Sequence, residues 1–125
     1  MKIFKMLTFG AALLAGVVTG VSVALAHSFP QKETPSAGQR LSAPPSEVTI
    51  KFDAPIEKLF AKLEVISADG KSETVGQTLV DPSAMTLSAK LERLKPGDYT
   101  VKWGVVCIDS HHTEGSYVFS VADGG

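Results

Sequence analysis

Residues 99–121 read YTVKWGVVCIDSHHTEGSYVFSV. From Tyr99 the odd positions are Tyr99, Val101, Trp103, Val105 and Cys107. A strand turns alternate side chains to opposite faces, so these five share one face. After Gly115 the pattern returns with Tyr117, Phe119 and Val121. Between the two runs lies a short polar segment, Asp109-Ser110-His111-His112. Two long half-buried strands joined by a polar turn predict an antiparallel pair at the centre of a β domain.

Working upstream, Lys95-Pro96-Gly97-Asp98 predicts the turn that feeds this pair. Thr86 to Leu91 alternates, with Leu87, Ala89 and Leu91 on one side, after a turn at Asp81-Pro82-Ser83. Leu63 to Ser67 reads as a strand and Asp69-Gly70 as a hairpin turn. The return strand is then expected over Ser72 to Val75, with Gln77 to Val80 continuing it. Val48 to Phe52 alternates apolar and polar residues and is ended by Asp53-Ala54-Pro55. Ile56 to Lys62 is expected to make a helical turn. Ser28 to Ser46 carries Pro30, Pro35, Pro44, Pro45 and Gly38, and is read as loop or edge with Leu41 turned inward. About seven short strands with little helix predict an all-β, immunoglobulin-like antiparallel β-sandwich with Greek-key connections. The Cys-Trp-Cys arrangement of antibody domains is absent, because the chain has one cysteine. No internal repeat, low-complexity segment or linker to a second domain is evident.

Residues 1–26 predict a secretory signal peptide. Lys2 and Lys5 precede an apolar, small-residue run that ends in Ala24-Leu25-Ala26. A retained anchor is the alternative, but the Gly, Ala, Ser and Thr content suits a bilayer span poorly. Ser22-Val23-Ala24 offers a second cleavage point. With cleavage after Ala26, residues 27–125 form one small soluble domain with a modest core. The formal net charge of the 125-residue chain is −1, and losing Lys2 and Lys5 takes it to −3. Mixed charges without a basic stripe argue against a nucleic-acid partner. Cys107 has no internal partner and is expected to be a small buried core residue.

The chain has three histidines. His111 and His112 lie in the polar segment, and His27 becomes the first residue after cleavage. A terminal histidine offers its amine and Nδ1 to one ion. With Asp109 and His111 the set becomes three nitrogens and one oxygen. Tetragonal N,O coordination suits Cu(II), which also heads the divalent affinity order. Asp-x-His alone is a weak motif, equally at home in a solvated turn. In an extended chain His112 points away from His111 and is expected to be exposed. Glu114 is read as a solvated turn residue, and Trp103 and Tyr99 as core.

The domain resembles the CopC family of copper-binding proteins over nearly its whole length. The residues that carry the resemblance are His27, Thr34-Pro35 with Gly38, and Pro44 followed by Val48-Thr49-Ile50-Lys51-Phe52. Later come Pro96 to Trp103, Val105-Val106, Asp109-Ser110-His111, Gly115-Ser116 and Phe119-Ser120-Val121. The resemblance implies a periplasmic, non-enzymatic protein in copper resistance, buffering or delivery. It implies His27, Asp109 and His111 as Cu(II) ligands and a CopD-type inner-membrane importer as partner, with the carrier a monomer. Some relatives carry a Met-rich loop for Cu(I). Beyond the leader this chain has only Met85, so a second, Cu(I) site is not expected. Cys107 stands where the family often has serine, and a thiol there would reduce or disturb Cu(II) if it were accessible. Some relatives also place a carboxylate just after the Phe52 strand, where Asp53 or Ala54 stands here. Two other classes compete. A histidine-brace copper enzyme needs an open axial position, which Asp109 would fill. A metal-independent interaction domain would not depend on the free terminus. A cupredoxin would need His, Cys and an axial Met together, and no Met follows Cys107.

Overall fold

The computed structural model describes residues 29–123. The leader at 1–26 and His27 lie outside the described residues. The strand pair read first is the longest in the domain. Strand β7 (Gly97–Val106) and strand β8 (His112–Val121) run antiparallel in continuous register from Gly97↔Val121 to Val106↔His112. Tyr99, Val101, Trp103, Val105 and Cys107 are all buried, as the period of two requires, and so are Tyr117, Phe119 and Val121.

The other strands are β1 (Pro30–Thr34), β2 (Arg40–Leu41), β3 (Glu47–Phe52), β4 (Lys62–Ser67), β5 (Thr74–Asp81) and β6 (Thr86–Leu91). A single 3-10 turn, Pro82–Ala84, links β5 to β6. Two four-stranded sheets result, ordered β1-β3-β6-β5 and β2-β8-β7-β4. This is the immunoglobulin-like sandwich expected. All pairings are antiparallel except the short β2/β8 pair, which is parallel. The core lies between the sheets. Val48, Ile50 and Phe52 of β3 and Leu87 and Ala89 of β6 face Leu63 and Val65 of β4 and the inner faces of β7 and β8. Phe52 meets Trp103 edge-on at 5.3 Å, and Tyr99 stacks on Phe119 at 5.6 Å. Leu41 packs against this core, as expected.

In the proline-bearing segment the edge reading holds: it carries two edge strands, β1 and β2, which bring the strands of the described residues to eight. Two segments differ from expectation. Residues 56–62 form no helical turn. Ile56 is buried and bridges Cys107, and the Glu57 N–H donates to the Val106 carbonyl at 2.8 Å. The pairing with β7 holds the start of the segment extended, and Phe60 then turns left-handed at φ 65°, which a right-handed helical turn cannot contain. The Asp69-Gly70 turn does form, with Gly70 at φ 88° and its N–H donating to the Ser67 carbonyl. Its return is short, with an isolated Ile66↔Ser72 bridge and a Glu73 N–H to Val65 carbonyl bond. From Thr74 the chain crosses to the other sheet and pairs with β6, merging the two expected runs into one strand. Gly76, at φ 75°, sits in the register shift between Val75 and Leu79. The Thr78 hydroxyl then reaches back to β4 and accepts from the Leu63 N–H at 3.1 Å.

Candidate metal centre

The β7–β8 connection is a five-residue turn, Cys107 to His111. The Cys107 N–H donates to the His111 carbonyl, and the Ser110 N–H donates to the Cys107 carbonyl, both at 2.8 Å. Ile108, Asp109 and Ser110 form the loop proper, and Ser110 closes it at φ 77°. A left-handed residue at this position matches the right-handed twist of the flanking strands. The cost is about 1 kcal/mol for a residue with a Cβ.

This backbone brings the Asp-x-His pair together. Asp109 Oδ1 accepts the His111 N–H at 3.1 Å, and Asp109 Oδ2 lies 3.0 Å from His111 Nδ1. One carboxylate thus fixes both the backbone and the ring of the histidine two residues on. The His111 side chain is 62% exposed and that of Asp109 32%, so both face solvent at the tip of a rigid hairpin. The pair offers one oxygen and one imidazole. Among the described residues no third His, Cys, Asp or Glu joins them to make a set of three. The donor chemistry fits a tetragonal cation that takes its remaining ligands from elsewhere.

The chain enters the domain at this same end. The Phe29 N–H donates to Asp53 Oδ1 at 2.8 Å, and the Asp53 N–H donates to the Phe29 carbonyl at 2.9 Å. Asp53 follows β3, and the segment after it is joined to the base of the turn by the Ile56↔Cys107 bridge. Phe29 is therefore tied to the loop that abuts the Asp109–His111 turn. His27 stands two residues earlier in the sequence. Asp53 makes a contact that local sequence does not reveal, since its partner Phe29 lies 24 positions away. Phe29 stands at the entry to the edge strand β1.

His112 opens β8 and is exposed, as expected. Its ring lies over Gly104 on the outer face of the sheet, with Nε2 3.3 Å from where a Cβ on Gly104 would stand. Glu114, also exposed, pairs with Gly104 across the strands. Cys107 is only 1% exposed, a core residue whose backbone closes the turn. Its burial argues against the idea that its thiol disturbs bound copper.

The comparisons with known proteins give the family of this fold. A sequence model of the CopC domain matches residues 31–122. The chain belongs to the CopC family. It is 30% identical over 119 residues to Protein YobA of Escherichia coli strain K12, covering 94% of this chain and 95% of that protein. It is 30% identical over 121 residues to Copper resistance protein C of Escherichia coli, covering 89% and 94%. Among solved structures it superposes on CopC from Methylosinus trichosporium OB3b with a TM-score of 0.73 at 28% identity, covering 79% of this chain and 97% of that one. CopC membership gives the chain's work in outline, which is copper handling without catalysis.

Proposed function

We propose that the protein is a periplasmic carrier that binds one Cu(II). The ligands are the amine and imidazole of His27, freed by removal of residues 1–26, together with Asp109 and His111. The observation that carries this reading is the Asp109–His111 pair, held 3.0 Å apart on a solvent-facing turn at the end where Phe29 enters. Two ligands on a rigid hairpin supply half of a tetragonal site. A terminal histidine supplies the other half as a chelate, and its short tether limits the entropy lost on closing the site. Copper is cargo here, so exposure is an asset: an acceptor can reach the ion and replace ligands one at a time. A CopD-type inner-membrane importer is the acceptor that the family resemblance implies.

All nitrogen ligands must be deprotonated to bind, so loading releases protons and weakens as pH falls. Copper titrations of the mature protein and of its Asp109→Ala and His111→Ala variants test the ligand set. Each variant should lose at least ten-fold in Cu(II) affinity and keep its fold. Full affinity in both variants would remove the turn from the site and end this reading.

A further inference from the structure

The end of the sandwich that holds the Asp-x-His turn is also its apolar end. Among the described residues, four of the seven exposed large apolar side chains lie there: Phe29, Leu59, Phe60 and Ile108. Leu59 and Phe60 are the extreme cases, at 69% and 75% exposed. They occupy the tip of the segment between β3 and β4. The Ile56↔Cys107 bridge and the Glu57–Val106 hydrogen bond lock that segment to β7. Phe60 holds a left-handed backbone conformation, φ 65°, that a bulky residue rarely adopts. The fold therefore presents this ring to solvent in a strained backbone, although nothing in the core needs it there.

The flanking residues indicate what covers the tip. The sequence runs Lys58-Leu59-Phe60-Ala61-Lys62, with both lysines exposed. Glu57 directly precedes Lys58, and Glu64 follows Lys62 with Leu63 between them. An apolar pair bracketed directly by two long cationic side chains matches a bilayer interface. The rings and branched chains enter the acyl boundary, while the lysines extend to the phosphates. An anionic membrane attracts lysines placed at such a margin.

We propose that the Lys58–Lys62 tip is a membrane-surface contact that seats the domain on an anionic phospholipid bilayer, with Leu59 and Phe60 in the interface. The contact goes beyond the copper reading and does not require it, since no copper ligand takes part. It would set the Asp109–His111 turn close to the membrane, where an acceptor embedded there is met in two dimensions.

The test is co-sedimentation of the mature, copper-free protein with vesicles. One set contains equal parts phosphatidylethanolamine and phosphatidylglycerol, and the other phosphatidylcholine alone. The protein should sediment with the anionic vesicles and not with the zwitterionic ones. Leu59→Ser with Phe60→Asn, asparagine being tolerant of the left-handed backbone, should weaken binding at least ten-fold. Lys58→Gln and Lys62→Gln should each weaken it about five-fold. In a Leu59→Trp variant, emission should shift to the blue when anionic vesicles are added. Copper affinity should not change in any of these variants, so failure here is separable from failure of the copper site. The proposal is overturned if the parent ignores anionic vesicles, or if the tip variants sediment like the parent. Loss of copper delivery in cells by the Leu59→Ser/Phe60→Asn variant, without vesicle binding by the parent, would also overturn it and assign the tip to a protein acceptor.

Discussion

Gly115→Ala probes the packing beneath the metal turn. Gly115 pairs with Trp103 across β7 and β8. A Cβ built on Gly115 would stand 2.7 Å from Trp103 Cζ2, 3.0 Å from Cε2 and 3.1 Å from Nε1. Ordinary contact begins near 3.4 Å, so the ring must retreat by about 0.7 Å. It has little room to do so, because its other side meets Phe52 at 5.3 Å and the residue is 92% buried. Overpacking of this kind costs about 1–3 kcal/mol. Replacing glycine by alanine returns about 0.4–1 kcal/mol through the unfolded chain. The net loss should be about 1–2 kcal/mol, which lowers Tm by roughly 5–15 °C in a domain of this size. Urea unfolding followed by tryptophan emission is the assay, and Trp103 is the chain's only tryptophan. A lower midpoint with an altered native emission spectrum is expected. Stability equal to or above the parent's, with unchanged emission, would refute the packing argument.

Three further substitutions test other parts of the structure. Asp53→Ala removes the acceptor for the Phe29 N–H and should lower Cu(II) affinity about five-fold, the worth of one hydrogen bond at an exposed site, whereas Asp53→Asn keeps an acceptor and should stay near the parent in a competition titration. Tyr117 is buried with its hydroxyl unpartnered, so Tyr117→Phe should raise stability by about 1 kcal/mol in urea unfolding. Burial raises the Glu33 carboxyl above its ordinary value of 4.5, so the folded state holds that proton more tightly and loses stability as pH rises through the raised value. Glu33→Gln should therefore be the more stable protein near neutral pH, and thermal melts should show the gap closing below 4.5.

Much of this fold was legible because its central strands bury one face only. The odd positions from Tyr99 to Cys107 and the run Val48-Ile50-Phe52 announce themselves by alternation, and each proved buried. Residues 30–41 were less legible. β1 and β2 are edge strands with mostly exposed side chains, and their proline content masks the pairing. The Asp69-Gly70 signal predicted its turn correctly but could not reveal that the chain leaves β4 after one bridge. That choice depends on β6, which comes later in sequence. Residues 56–62 misled because their local composition permits a helical turn, while Ile56 is claimed by the core and Glu57 by Val106.

The candidate site divides along similar lines. Asp109 and His111 were readable as a pair because the turn between two strong strands confines them. The Asp53 contact beside it was not, because its partner at Phe29 lies 24 residues away in sequence. Parity gave the exposure of His112 and the burial of Cys107 correctly. The exposed Leu59–Phe60 tip lies in the segment whose composition permits a helical turn.

The central claim is that a free His27 terminus completes a Cu(II) site with Asp109 and His111. Electron paramagnetic resonance of the secreted protein, loaded with one equivalent of Cu(II), tests it most directly against a matched protein carrying one extra residue before His27. The account predicts a single tetragonal signal with nitrogen couplings in the first, and a much weaker or different signal in the second. Identical spectra in the two proteins would contradict it.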